Sequence, residues 1–388
     1  MVCLSLLLGV VTSGCGFLST ATAPRSPRII GVAPGFPSCI LIQGGSVRCW
    51  GDNSFGQLGD GRTNVERYLW PPKGVSKTPV PVIDLGSPAT AIVSGAGYAC
   101  ALLANHDVKC WGYNVEGDLG TGSTHPELSP VPLRVRGLAG PVRSISAPWH
   151  GDYACALLFS GGVQCWGRNH LGALDPISGP NPRAAVEPAV YVDGLRRRVV
   201  SLATAVDHAC AVTSAGGVTC WGRFDQAGYG SPKDYVGRAP KHGVIAVAVN
   251  QVVTCVLLRS RAVECWGFVD GETSISTTPR IVKGLEGGVR AITLADNFGC
   301  AVMIAGSVKC WGTNLLGELG NGTGADSPSA VQVSGLTSGV LSVSLAGDSA
   351  FATLEDGHVV TWGVPIPIEV GNEPAHDFPN NLSPVQAL

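Results

Sequence analysis

Charge is scarce in this sequence. Only 14% of its 388 residues are Asp, Glu, Lys or Arg, and the formal net charge is −2. Long solvated helices need more charge than that, and a balance near zero gives no overall basic field for a nucleic-acid backbone. Arg196, Arg197 and Arg198 make one short cluster, read as an exposed basic turn. Methionine is almost missing, with 2 residues. Long apolar runs are missing too: Met1 to Val11 is too short to span a bilayer. There is no Cys-x-x-Cys pair, Walker phosphate loop, His-Glu-x-x-His helix or Gly-x-Ser-x-Gly elbow. No catalytic residue, cofactor or metal ligand is therefore assigned, and the chain is read as a non-enzyme. Asp52, Asn53 and Ser54 look like the start of a calcium loop, but its twelfth position is Thr63 instead of Glu, so turn chemistry is the better account. His208 beside Asp207 lies at a strand entry and is read as a structural hydrogen-bonding group.

What the sequence does have is glycine, at 53 residues, and proline, at 27, a composition that suits short strands joined by tight turns. An all-β fold is expected. Met1 to Val11, followed by Thr12, Ser13, Gly14 and Cys15, reads as an export segment over residues 1–15, with a linker at 16–27 and one domain over 28–388. The small residues before Cys15 resemble a bacterial lipoprotein cleavage box, which makes Cys15 a lipidation candidate. No Lys or Arg precedes the apolar run, and Thr12 stands where such boxes usually carry Leu, so secretion without a lipid, a misplaced start codon and an uncleaved segment stay open. The expected location is the cell envelope, lipid-anchored, or the extracellular space.

The repeat decides the architecture. Trp-Gly recurs at Trp50, Trp111, Trp166, Trp221, Trp266, Trp311 and Trp362, a mean step of 52 residues. Seven units of that length are the size of propeller blades. In each unit a proline-led strand such as Ser129 to Leu138 precedes a second strand such as Arg143 to Ser146, then an alternating hairpin that ends in Trp-Gly, and then a glycine-rich turn. The predicted fold is an all-β, seven-bladed propeller of four-stranded blades. The hairpins have three-residue loops whose third position needs a left-handed backbone. Gly45, Gly161, Gly216, Gly306 and Gly357 supply it, while His106 and Arg261 occupy it at some strain. The C-terminal Ser383 to Leu388 matches a proline-led strand with no second strand after it, and the chain opens near Arg28 to Val32 with a second strand that lacks a first. The C-terminal strand is therefore expected to pair beside the N-terminal segment and close the ring.

Of 14 cysteines, 12 form pairs of identical spacing: Cys39 and Cys49, Cys100 and Cys110, Cys155 and Cys165, Cys210 and Cys220, Cys255 and Cys265, Cys300 and Cys310. The seventh unit loses both positions together, to Phe351 and Thr361. Residues directly opposed across a hairpin stand close enough for a bridge, so each pair is read as a disulfide within its unit. Such bridges belong to an oxidising compartment.

The turns Gly51-Asp-Asn-Ser-Phe-Gly-Gln-Leu-Gly-Asp-Gly61, Gly112-Tyr-Asn-Val-Glu-Gly-Asp-Leu-Gly-Thr-Gly122 and Gly312-Thr-Asn-Leu-Leu-Gly-Glu-Leu-Gly-Asn-Gly322, each following a hairpin such as Tyr98 to Gly112, resemble the regulator-of-chromosome-condensation repeat family. The likeness runs over roughly residues 28 to 388 and departs in units four, five and seven. It implies recognition of another protein through a propeller surface. The expected function is an extracytoplasmic protein-binding scaffold, a monomer with a protein partner, no nucleic acid, and membrane contact only through a lipid on Cys15. The alternatives are a specific inhibitor or regulator of a secreted or periplasmic enzyme, a propeller enzyme, or a guanine-nucleotide exchange factor. Two of the nine tryptophans lie outside the Trp-Gly set. Trp70, with Tyr68, sits in the linker after the first Trp-Gly. Trp149, with His150, sits where the connection from Ile145 to Cys155 is two residues longer than its counterparts. Strand parity puts both on one face, and these four residues are the partner-binding candidates. The competing reading folds both tryptophans inward over the ring. Mass mapping of unreduced peptides from exported protein is expected to return all six cysteine pairs, and six or more free thiols would overturn the pairing.

Overall fold

The computed structural model describes residues 28–63, 75–169, 172, 174, 188–192, 194–206, 208–222, 242–267, 276–364 and 381–386. These form seven antiparallel sheets, six of four strands and one, the fourth, of three among the described residues. The sheets stand around a central channel as the blades of a propeller, and the first strand of each blade lines that channel. The hairpins follow their alternation. Each cysteine pair is directly opposed in register, with Cα atoms 4.0 to 4.1 Å apart and side chains bonded. The third loop position is left-handed throughout, at φ 85° for Gly45, 67° for His106 and 69° for Arg261. Those two side-chain-bearing residues accept the conformation the glycines adopt freely.

One expectation is corrected. The proline-led strand is the outermost strand of the preceding hairpin's blade, so Leu128–Arg134 pairs with Val108–Tyr113. Each blade is thus contiguous in sequence, and the C-terminal strand Asn381–Gln386 completes blade seven against Val359–Gly363, away from the N-terminal segment. The strand Ile29–Ala33 is the innermost strand of blade one. The ring closes through side-by-side packing of blades one and seven. Ile29, Val32, Ile40, Ile42 and Trp50 bury themselves against Phe351 and Val359, the Ser344 hydroxyl donates to the Val32 carbonyl at 2.8 Å, and the Ile29 amide donates to the Gly357 carbonyl at 3.3 Å. Packing removes the seam because adjacent blades share an apolar interface, not a ladder of backbone bonds.

The other junctions have the same form. One core cluster joins Cys100 and Cys110 of blade two to Ala154, Ala156 and Trp166 of blade three, and the others likewise straddle neighbouring blades. Three of the Trp-Gly tryptophans are fastened to the blade before them. The indole of Trp111 donates to the Gln57 carbonyl at 3.0 Å, that of Trp166 to Asp118 at 3.1 Å, and that of Trp362 to Glu318 at 2.8 Å. The accepting turns are held by an asparagine. Asn114, fully buried, accepts from the Leu119 amide at 3.1 Å and donates to the Ser123 and Pro126 carbonyls at 3.0 and 2.9 Å. Asn53 and Asn314 do the same at Leu58 and Leu319, and Asp52 accepts from the amide and hydroxyl of Ser54, so these polar groups are spent on the turn. The closing glycine makes room for the indole. A Cβ on Gly120, at φ +62°, would lie 2.7 Å from Trp166 Cδ1.

A second set of latches runs along the entry to the second strands. The Tyr98 hydroxyl donates to the Tyr153 carbonyl at 2.5 Å, and the Tyr153 hydroxyl contacts the Ala205 and His208 carbonyls at 2.6 and 2.8 Å. His208 occupies the slot of Tyr98, Tyr153 and Phe298 and is equally buried. Burial lowers its pKa from 6.5 to about 3, which holds it neutral.

Two outcomes follow from these junctions. Trp166→Ala is expected to cost about 3–5 kcal/mol and Gly120→Ala about 2 kcal/mol or more, read as denaturant midpoints of the oxidised protein. Free His titrates near 6.5 and folded His208 near 3. The stability that neutral His208 permits is therefore present above about pH 6.5 and is lost as the pH falls towards 3, by up to roughly 1.4 kcal/mol per pH unit. His208→Phe should remove that one-proton slope between pH 6.5 and 4, and an unchanged slope in unfolding titrations would refute the assignment.

Candidate functional site

In a four-stranded meander the connections from first to second and from third to fourth strands leave on one face. Register places the extra residues of blade three there: Cys155 pairs with Ser146, whereas Cys100 pairs with Val93 and Cys300 with Thr293, so this connection is two residues longer. The insertion carries Trp149 and His150 inward over the channel mouth. Trp149 is half-buried, and its indole N–H donates to Asp296 Oδ1, from blade six, at 3.3 Å. Its ring lies 6.3 Å from that of Phe36, from blade one, and 5.0 Å from that of the exposed His150. On its far side is Gly347 of blade seven, where a Cβ would stand 3.4 Å from Trp149 Cη2. One side chain thus meets loops of blades one, six and seven. Beneath it the channel encloses about 340 Å³, lined by Ser94, Ser146, Thr204, Thr293 and Ser344 among aliphatic residues.

The loops under this cluster are tied together by their backbones. The Gly97 amide donates to the Phe36 carbonyl at 2.6 Å, and the Ala96 amide to Gly151 at 3.3 Å. Asn250 reaches from blade five to the Ala295 and Asp296 carbonyls at 2.7 and 3.1 Å. The face is acidic around its aromatic centre. Asp296 has its pKa raised by burial, against the opposing pull of the Trp149 hydrogen bond. Asp118 is fully buried and has its pKa raised well up, first by burial and then by the Asp152 carboxylate. Arg168 partly offsets this group, with Nη1 3.4 Å from Asp152 and Nε 3.7 Å from Glu116.

Of the four partner-binding candidates, Trp149 and His150 are at this mouth, whereas Tyr68 and Trp70 lie outside the described residues, as does Cys15. Trp149 folds over the ring and still presents an edge to solvent beside His150. Sequence reasoning missed Phe36, Asp296 and Gly347. Phe36, 52% exposed in the Pro34–Pro37 loop, is an apolar residue at a turn and so left a weak signal; Asp296 and Gly347 left none, since only ring closure brings them to Trp149. The cysteine pairs lie away from the mouth, inside the blades.

The model of the Regulator of chromosome condensation (RCC1) repeat matches residues 44–102 and 89–118. Among curated proteins the chain is 29% identical over 219 residues to the ultraviolet-B receptor UVR8 of Arabidopsis thaliana, covering 55% of this chain and 46% of that one. It is 31% identical over 174 residues to the secretion-regulating guanine nucleotide exchange factor of Mus musculus, covering 45% and 34%. The matched region therefore spans less than half the length of these relatives. Among solved structures, human WBSCR16 superposes with a TM-score of 0.70 at 18% identity over 88% of this chain and 94% of that one. Prp20p of Saccharomyces cerevisiae, whose structure is described with its binding to Gsp1p and histones, superposes with a TM-score of 0.69 at 19% identity over 93% and 87%. At these identities the likeness is one of fold.

Proposed function

The chain belongs to the regulator-of-chromosome-condensation repeat family, and on that premise we propose that it is an extracytoplasmic protein-binding scaffold that grips its partner at the Trp149 mouth. The observation that carries this reading is the convergence of Phe36, Trp149 and His150, from two blades, onto loops that backbone hydrogen bonds hold still. Aromatic side chains fixed in advance lose little entropy on binding and make good anchors. The carboxylates of Asp152, Asp296 and Asp348 on the surrounding loops favour a partner with basic residues near its contact. Binding of Gsp1p and histones by the yeast relative is a precedent for a propeller that works by holding proteins. Six cystines suit an oxidising compartment, which fits a role outside the cytoplasm.

Trp149→Ala tests the mouth. The partner is first captured with the unaltered protein from envelope or culture-fluid extract and identified by mass spectrometry. The variant should keep its unfolding midpoint to within about 1 kcal/mol and bind that partner about 2 kcal/mol more weakly. Undiminished binding, or a collapse of stability, would remove Trp149 as the anchor.

A further inference from the structure

The formal net charge of −2 conceals a separation of charge between the two faces among the described residues. On the mouth face Asp52, Asp60, Glu116, Asp152, Asp326 and Asp348 stand against Arg62, Lys77 and Arg168. The opposite face, made of hairpin tips and inter-blade links, carries the exposed cations Arg28, Arg136, Arg143, Arg197, Arg259 and Lys283, spread over successive blades. Among the described residues its carboxylates are fewer, Asp84, Asp107, Glu286, Glu355 and Asp356, and Asp107 is engaged by Arg134 at 2.7 Å. The same face holds two exposed apolar hairpin tips, Phe159 at 56% and Ile304 at 59% exposure, in blades three and six. Phe159 packs edge-on against His106 at 4.9 Å, beside an open cleft of about 690 Å³ lined by His106, Arg134 and Arg136. Arg28, where the described chain begins, is at this end too.

We propose that this basic face seats on an anionic phospholipid bilayer, with the guanidinium and ammonium groups on headgroup phosphates and Phe159 and Ile304 entering the interface. Two observations favour a bilayer over other polyanions. The cations are distributed around a disc instead of along a stripe, as a flat counter-surface requires. The apolar tips are scattered among them, where a phosphodiester backbone offers nothing to bury and a lipid interface does. Seated this way, the protein turns its acidic mouth to the aqueous side.

The test uses the full chain carrying Cys15→Ser, so that no acyl group contributes, and vesicles of phosphatidylcholine alone or with about 25% phosphatidylglycerol. Cosedimentation at about 0.1 M salt is expected to show partitioning at least about tenfold stronger onto the anionic vesicles. Arg136→Glu, Arg197→Glu and Arg259→Glu together should abolish that preference, and Phe159→Ser with Ile304→Ser should weaken retention about tenfold at about 0.5 M salt, where the apolar contribution dominates. All five side chains are exposed, and an unchanged unfolding midpoint confirms that the variants fold; should the triple variant fail to fold, Arg197→Glu alone replaces it. Equal partitioning onto both vesicles, a preference that survives charge reversal, or binding to heparin or duplex DNA without binding to anionic vesicles would overturn the proposal.

Discussion

The structure depends on an indole wedged between blades. Seven sheets could each bury one face against a neighbour at many angles and offsets, and apolar area alone chooses poorly among them because it has no direction. The hydrogen bond from Trp111 to the Gln57 carbonyl, and its counterparts at Trp166 and Trp362, supply that direction. Each fixes the end of one hairpin to the turn of the blade before it, and that turn cannot shift because a buried asparagine ties it at three points. Blade pitch is thus set by polar contacts placed inside an apolar junction, where competing water is excluded and a lost partner is costly.

The mouth inherits its rigidity from this arrangement. Trp149 is placed by a loop that has little structure of its own, yet the inner strands on either side of it are anchored at both ends, by cystine-bearing hairpins and by the tyrosine latches from Tyr98 to Tyr153 to Ala205. A two-residue insertion on such a base has few ways to lie. Its indole covers the channel because Gly347 leaves space on the far side and Asp296 offers an acceptor. Loops on such a base can vary without disturbing the ring.

The hairpins and the blade count were legible because they rest on local rules: period-two alternation, opposed cysteines, and a left-handed loop position that glycine fills at Gly45 and His106 fills under strain. Blade phase was not legible. The long connection, residues 52–75 in blade one, lies inside a blade, whereas the link from Pro81 to Ala89 between blades is short. Cutting the repeat at the long stretch therefore assigns each proline-led strand to the wrong neighbour. Local pattern cannot correct this, since a strand in a meander carries the same alternation whichever hairpin it follows. The convergence at Trp149 was half legible. Inserted aromatics are visible in sequence, but Asp296 stands nearly 150 residues away and meets the indole only because the ring closes. The separation of charge between faces, seen among the described residues, was hidden for a related reason, since loops of the two faces alternate along the chain.

Blade seven has no cystine, and Phe351 in place of the first cysteine is buried in the junction with blade one. Every other junction joins blades that are neighbours in sequence; this one joins the first residues of the fold to some of the last. A ribosome makes blade one about 300 residues before Phe351 and Val359 emerge. Through that interval Ile29, Val32 and the flank of Trp50 have no apolar partner on one side of an incomplete arc. Translation speed and chaperone attendance should therefore influence yield. Until Phe351 and Val359 arrive, the arc is one blade short of a surface with no open end.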